Sequence, residues 1–151
     1  MTKKLTLLLL ALAALGCSPR SADPVDYVNP FIGTGFHGHT YPGATTPFGM
    51  VQLSPDNGLP GWDRISGYFY PDSTIAGFSH THLSGTGAGD LYDISFMPVT
   101  LPYKEAEAPL GIYSKFSHDD ESAYAGYYQV RLKDYNICLL YTSPSPRDRQ
   151  K

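Results

Sequence analysis

Four of the five histidines share a spacing and form two His-x-His pairs, His37/His39 and His80/His82. Residues two apart on an extended strand point to the same side, so each pair could present two imidazoles to one metal ion. A metal site with an open position usually needs a third protein ligand, which Asp63 or Asp90 could supply. The alternative, which we favour, is that these rings hydrogen-bond loop carbonyls or sugar hydroxyls.

The only tryptophan, Trp62, lies in a polar loop between Gly61 and Asp63. An aromatic face can stack on the apolar C–H side of a sugar ring while a neighbouring carboxylate accepts hydrogen bonds from its hydroxyls. A tryptophan packed in the core beneath the loop is the alternative. The sequence leaves both interpretations open.

Two other loops resemble a nucleotide-binding motif and a catalytic serine motif, but the residues around them do not fit either motif. Residues 33–38 fit the G-x-G-x-x-G pattern, but Pro30 lies before them and Pro42 follows, so no helix can begin there, and we predict a turn. Ser84 is not a G-x-S-x-G nucleophile, because the residue two positions earlier is His82. We expect Ser84 to shape its glycine-rich loop or to hydrogen-bond within it.

The elements that must hold these loops read as strands. Tyr128, Val130 and Leu132 alternate with polar residues and predict one strand over 127–135. Shorter strand candidates share Gly, Pro, Asp or Ser at their ends: 74–78, 94–99 and 112–116. No window between residues 26 and 137 has helical apolar spacing, and the chain holds 15 Gly and 13 Pro. We predict an all-β domain, part of a sandwich.

Charge excludes one class of partner. The whole chain has a net charge of −3, yet residues 18–137 hold only six of the 11 basic residues and 13 of the 14 acidic ones. An acidic body has no electrostatic footprint for nucleic acid, so we expect none to bind.

The first residues predict export. Lys3 and Lys4 precede an apolar run from Leu5 to Leu15, which is too short to span a membrane and is typical of a signal peptide over 1–16. Cys17 then follows Ala-Leu-Gly, a sequence that resembles a bacterial lipobox. We predict a lipid anchor on Cys17, a tether over 17–25, and a periplasmic or cell-surface location. Ordinary cleavage near Gly16 is the alternative.

The last 14 residues, 138–151, differ abruptly from what precedes them. Ser-Pro-Ser-Pro and alternating charges replace the strand pattern, and the segment resembles a translated sequencing adapter at a broken gene end. We therefore predict a native domain over 26–137, cut short near Ile137. A genuine polar tail is the alternative.

Four motifs, in order, give the chain its family resemblance: VNPFIGTG (28–35), HGHTYPGA (37–44), PFGMVQLSPD (47–56) and GFSHTHLSGTG (77–87). Together they resemble the N-terminal part of glycoside hydrolase family 92, the exo-acting α-mannosidases. The resemblance implies an N-terminal β-sandwich followed by an (α/α)₆ barrel. It also implies calcium-dependent hydrolysis of terminal α-linked mannose with inversion, here of α-1,2 type. The family's acid, base and calcium ligands lie in the second domain, so none can be assigned to this chain, and we expect the chain alone to be inactive.

The resemblance also implies which residues of this chain reach the sugar. By motif match they are Gly61, Trp62, Asp63, His80 and His82, with Ser84 and Asp90 in support. The family often follows Gly-Trp-Asp with an aromatic and a small residue, whereas Arg64 and Ile65 stand here. The expected partners are mannose-containing glycans and, through Cys17, a membrane. A non-catalytic glycan-binding lipoprotein is the main alternative, and a zinc-retaining His-ligated protein is another.

Overall fold

The computed structural model describes residues 22–46, 50–85, 87, 89–102 and 111–143. The predicted signal peptide, Cys17, most of the tether and residues 144–151 lie outside this part of the chain, so those assignments stay predictions. Within the described residues, no helix is long and apolar enough to cross a membrane.

Seven short strands and three 3₁₀ helices make up the described regular structure. The strands are β1 (Ser54–Asp56), β2 (Thr74–Ile75), β3 (Gly77–Ser79), β4 (Ser114–Lys115), β5 (Glu121–Tyr124), β6 (Tyr127–Leu132) and β7 (Ile137–Thr142). The 3₁₀ helices are Pro24–Tyr27, Trp62–Arg64 and His118–Asp120. Antiparallel pairing joins β1 to β3 and β2 to β4, and the third sheet has the order β5-β6-β7. The all-β prediction is confirmed.

Strand β6 follows the alternation read from the sequence. Tyr128, Val130 and Leu132 are fully buried, while Arg131 between them is exposed. The strand ends at Leu132, three residues earlier than predicted, because the chain turns before β7 and Asn136 takes a left-handed φ of 53°. Each buried apolar side chain of this size contributes about 1.5–3 kcal/mol, so β6 is a main source of the core's stability.

One apolar core joins the three sheets. Its buried members come from all of them and from adjacent loops: Ala44, Leu53, Tyr68, Ile75, Phe78, Phe116, Tyr128, Val130, Leu132 and Tyr141. The ring of Phe78 in β3 meets that of Tyr141 in β7 edge-on at 5.6 Å between centroids. The three-stranded sheet therefore packs against the smaller sheets as in a partial sandwich.

Three strand predictions need correction. The segment 74–78 is two strands in different sheets: β2 pairs with β4, whereas β3 pairs with β1, whose Asp56 carbonyl also accepts from the Ala76 amide at 2.8 Å. The segment 94–99 is not a strand: Ile94 has a left-handed φ of 53°, and only Phe96 forms a bridge, to Phe78. In the segment 112–116, only Ser114 and Lys115 form a strand, β4.

Residues beyond Ile137 take part in the sheet. Strand β7 pairs with β6 from Ile137 opposite Leu132 to Thr142 opposite Tyr127. This pairing does not test where the segment came from, so the predicted domain end near Ile137 stays a prediction.

Candidate functional site

The loop that carries the first histidine pair is held together by close backbone packing. Residues 30–37 form turns and bends, as predicted for the G-x-G-x-x-G segment. Gly33 has a left-handed φ of 84°, and a Cβ at Gly38 would lie 2.2 Å from the Gly33 carbonyl oxygen. No larger residue fits at position 38 in this loop, and this contact fixes where His37 and His39 point.

His37, His39 and Asp63, which we call the His–Asp cluster, come together across 26 positions of sequence. The Nδ1 of His37 lies 2.5 Å from Oδ1 of Asp63, and the Nε2 of His39 lies 3.7 Å from the same oxygen. One ligand atom from each residue lies within 4.8 Å of the others. Of the two carboxylates considered from the sequence, Asp63 belongs to this cluster and Asp90 does not.

The buried member of the His–Asp cluster is His39. It is only 2% exposed, and neither ring nitrogen has a hydrogen-bond partner. Its backbone is left-handed, with a φ of 50°, which is unfavourable for a residue with a Cβ. A buried polar group without a partner costs about 1–3 kcal/mol, so His39 is an energetically expensive residue in this loop.

Asp63 is the charged member of the His–Asp cluster. Its hydrogen bond with His37 holds the pKa of the carboxyl below its usual range, partly opposed by desolvation. Its side chain is 32% exposed, so one side of the carboxylate faces solvent. At neutral pH the cluster therefore presents an ionised carboxylate to any ligand that approaches.

Trp62 is a surface residue. It begins the 3₁₀ helix Trp62–Arg64, which we call the Trp62 helix, and is 55% exposed. Its ring meets that of His39 edge-on at 4.9 Å between centroids. The core alternative is therefore not the one adopted, and an aromatic face is available beside Asp63.

Arg64 anchors the Trp62 helix. Its Nε and Nη2 each donate to a carboxylate oxygen of Asp72 at 2.6 Å, and its guanidinium lies 4.8 Å from the centroid of the Phe69 ring. Asp72 is 8% exposed, so this bidentate pair is largely shielded from solvent. Arg64, which stands where the family often has an aromatic residue after Gly-Trp-Asp, therefore has a structural role through Asp72.

The second histidine pair has protein partners. His82 is 1% exposed, with Nδ1 2.7 Å from the Gln52 carbonyl oxygen and Nε2 2.9 Å from Oδ1 of Asp56. The Nδ1 of His80 lies 2.6 Å from the Ile94 carbonyl oxygen. These contacts agree with the loop-carbonyl interpretation, while contact of either ring with a sugar stays a prediction. The two His-x-His pairs therefore differ: both rings of the second pair are hydrogen-bonded, whereas the His39 ring of the first pair is not.

A cavity of about 480 Å³ adjoins the Trp62 helix, within the usual range for small-molecule sites. Its lining includes Gly61, Arg64 and Ile65, together with Asp56 and Tyr92. The tyrosine hydroxyl donates to the Ile65 carbonyl. The sequence did not point to Asp56 or Tyr92 as site residues, although Asp56 is the last residue of the family motif at 47–56.

The supporting residues lie in the exposed part of the glycine-rich loop. Ser84 and Asp90 are both exposed, and Asp90 accepts a hydrogen bond from the Leu91 amide at 2.8 Å. Neither belongs to the His–Asp cluster, so their supporting role stays a prediction.

Calcium does not fit the metal-ligating groups found here. Within the described ranges, the His–Asp cluster is the only group of three or more His, Cys, Asp or Glu side chains close enough to share an ion. Calcium takes six to eight oxygen ligands, whereas this group offers two imidazoles and one carboxylate. The His–Asp cluster is therefore not a calcium site, and the position of the expected calcium ligands stays a prediction.

Fold and site together define an all-β domain that exposes a tryptophan next to an ionised carboxylate. The chain belongs to glycosyl hydrolase family 92: the family's N-terminal domain matches residues 27–145. In structure, the chain is similar to the family 92 α-mannosidase BT3965 from Bacteroides thetaiotaomicron, solved in complex with mannoimidazole. That match has 47% identity and a TM-score of 0.72, and covers 79% of this chain and 16% of the other.

More distant relatives agree with this assignment. The inverting mannosidase BT2199 from the same species is 32% identical, with a TM-score of 0.55, and the match covers 76% of this chain and 16% of that one. An uncharacterized secreted glycosidase of Arthroderma benhamiae is 40% identical over 65 residues, which are 43% of this chain and 8% of the relative. The chain thus spans less than a fifth of the length of these proteins.

Proposed function

We propose that the whole protein is an exported exo-α-mannosidase that hydrolyses terminal α-1,2-linked mannose with inversion, and that this chain supplies one wall of its sugar pocket. The observation that carries the proposal is the exposed Trp62 beside the ionised Asp63, in a chain 47% identical to an α-mannosidase solved with mannoimidazole.

In this proposal the Trp62 helix binds the sugar. The ring of Trp62 packs on the apolar face of a mannose residue, and Asp63 accepts hydrogen bonds from its hydroxyls. Gly61 lines the adjoining cavity, where the lack of a side chain leaves room for a ligand. His80 and His82 also contact the sugar in this proposal, and Ser84 and Asp90 support them from the same glycine-rich loop.

The catalytic groups belong to the rest of the protein. Inversion requires two carboxyl groups about 6.5–9.5 Å apart, one protonating the leaving oxygen and one activating water. We place both, with the calcium ligands, in the C-terminal domain that the family resemblance implies. The chain of 151 residues alone is therefore expected to be inactive with or without calcium.

Location follows from the same comparison. The name of the fungal relative, a secreted glycosidase, supports export. We propose that residues 1–16 direct it and that Cys17 carries a lipid anchor, which leaves the enzyme at a membrane facing mannose-containing glycans.

The test begins with the gene. Sequencing the source DNA past the codon for Ile137 gives the complete reading frame, and its product is assayed on α-1,2-mannobiose. We expect α-mannosidase activity that chelation of calcium removes. Trp62→Ala should lower kcat/KM about tenfold, because an aromatic stacking contact contributes about 0.5–1.5 kcal/mol.

Tyr27→Ala is the matched control, because Tyr27 is a 78% exposed aromatic residue outside the site. It should leave kcat/KM unchanged. A complete, folded protein that binds mannosides without hydrolysing them would contradict the proposal and support the glycan-binding alternative instead.

A further inference from the structure

We propose that the His–Asp cluster is a binding site for one divalent transition-metal ion of the zinc class, held by Nδ1 of His37, Nε2 of His39 and Oδ1 of Asp63. This site goes beyond the proposed mannosidase function, which uses calcium bound elsewhere in the protein. Neither the fold nor the proposed sugar contacts account for how these three side chains are arranged.

The first argument is the unpartnered ring of His39. Hydrogen bonding to protein groups explains His80 and His82, yet neither nitrogen of His39 makes a hydrogen bond, and the nearest charged group, Oδ1 of Asp63, is 3.7 Å from Nε2. A metal ion bound at Nε2 would satisfy one of them and offset the cost of burying it. The left-handed backbone at His39 would then have a compensating interaction.

The second argument is the spacing of the ligand atoms. Tetrahedral zinc, with bonds of about 2.0–2.2 Å, sets its ligand atoms about 3.3 Å apart. The two distances to Oδ1 of Asp63, 2.5 Å from His37 and 3.7 Å from His39, lie on either side of that value. All three ligand atoms lie within 4.8 Å of one another, so the two histidine rings must adjust to bind one ion. The His37 side chain is 59% exposed, so its ring has room to withdraw by the fraction of an ångström required.

The third argument is the chemistry of the donors. Imidazole nitrogens with one carboxylate suit zinc and its neighbours in the first transition series, and do not suit calcium. Three protein ligands leave a coordination position open, and the exposed His37 beside the half-buried Asp63 places it toward solvent. Water or a ligand hydroxyl would complete the shell.

The test uses the full chain of 151 residues, loaded with zinc sulfate and dialysed against metal-free buffer. Elemental analysis should find one zinc per chain, and isothermal titration gives its affinity. His37→Gln and Asp63→Asn should each weaken zinc binding at least tenfold, because each removes one of three ligands. Both side chains are partly exposed, so these variants should keep the far-ultraviolet circular dichroism of the parent.

His80→Gln is the matched control, since it removes one histidine of the other His-x-His pair and should leave zinc affinity unchanged. A wild-type chain that retains no zinc would overturn the proposal, as would an Asp63→Asn variant with the parent's affinity. The metal measurement is independent of sugar hydrolysis. Stoichiometric zinc in this chain, with no α-mannosidase activity in the product of the complete reading frame, would refute only the proposed function. Activity in that product, with no zinc retained by this chain, would refute only this site.

Discussion

A single carboxylate, Asp63, connects the features that matter most at the residue scale. It contacts an exposed ring at His37 and approaches a buried one at His39, while Trp62 precedes it in the chain. Sugar hydroxyls and a metal ion would both use its oxygens. Its position depends on the Trp62 helix, and the positions of the two histidines depend on the glycine contact between residues 33 and 38.

Gly38→Ala should disturb this arrangement. The new methyl group would overlap the backbone of Gly33, so we expect a loss of about 1–3 kcal/mol in the free energy of unfolding. Because Trp62 is the only tryptophan and contacts His39, its fluorescence emission should change as well. Denaturant titration and emission spectra check both effects.

Gly35→Ala is the control in the same loop. A Cβ there would meet only Cβ of Tyr70, at an ordinary 3.8 Å, so stability and emission should stay close to those of the parent. Equal effects from the two substitutions would show that the close backbone contact does not set the shape of this loop.

Spacing alone could not separate the two histidine pairs. The partners that decide their roles, Asp63 for His37 and Asp56 for His82, are each 26 positions away, and only the folded chain brings them near. The sequence did indicate that Asp63 was a candidate third ligand. It carried no sign that His39 would be buried without a hydrogen bond to either ring nitrogen.

At the scale of elements, the Trp62 helix is too short to hold itself in place. Three residues in a 3₁₀ turn form few hydrogen bonds of their own, so its position depends on tertiary contacts. The bidentate pair of Arg64 with Asp72 supplies the strongest contact within reach. Trp62 and Asp63 are therefore positioned by the residue that follows them.

Arg64→Ala should lower the free energy of unfolding by about 3 kcal/mol, because it leaves the shielded carboxylate of Asp72 without a partner. In the complete enzyme it should also raise KM for mannosides, since Trp62 loses its anchor. Chemical denaturation and steady-state kinetics measure the two effects.

Arg131→Ala serves as the reference substitution. Arg131 is exposed and donates to Asn136 within one hairpin, so its loss should cost less than about 0.5 kcal/mol. If Arg64→Ala were as mild, the pair with Asp72 would not be what holds the helix.

Predictability also differed between elements. Strand β6 has three buried residues at period two, which is enough pattern to identify it from sequence. The strands β2, β3 and β4 have two or three residues each, too few to show a period. The segment 94–99 has strand-forming residues but a left-handed Ile94, a conformation that residue preference does not predict.

At the scale of the whole molecule, a buried carboxylate, Glu121, contacts the shared core. The Glu121 side chain is 1% exposed and accepts hydrogen bonds from the hydroxyls of Tyr68 and Tyr128, at 3.0 and 2.6 Å. His118 Nδ1 lies 2.6 Å from its other oxygen. Burial, and then the negative charge of Glu121, raises the pKa of both tyrosines well above its ordinary value.

Stability should therefore fall at alkaline pH. A folded-state pKa raised above the unfolded value contributes stability that is complete below about pH 10, the pKa of an unfolded tyrosine. That contribution declines as pH rises above 10 toward the folded pKa. Each such group adds a slope of up to about 1.4 kcal/mol per pH unit, and urea titrations between pH 8 and 11 measure it.

Tyr68→Phe should flatten this decline by removing one of the tyrosines whose pKa is raised, even if it lowers stability at neutral pH. Tyr27→Phe, at a 78% exposed position, should leave the slope unchanged. An identical slope in the parent and Tyr68→Phe would contradict the prediction.

The backbone contact between Gly33 and Gly38 has a consequence for how this protein could diverge or be engineered. It separates the shape of the loop from its chemistry, since the shape depends on residues without side chains. Phe36, 79% exposed with a left-handed φ of 52°, and the exposed His37 lie between those glycines and can be replaced by residues that are not β-branched without a new backbone. Libraries confined to these two positions should yield variants with altered ligand preference on an unchanged scaffold.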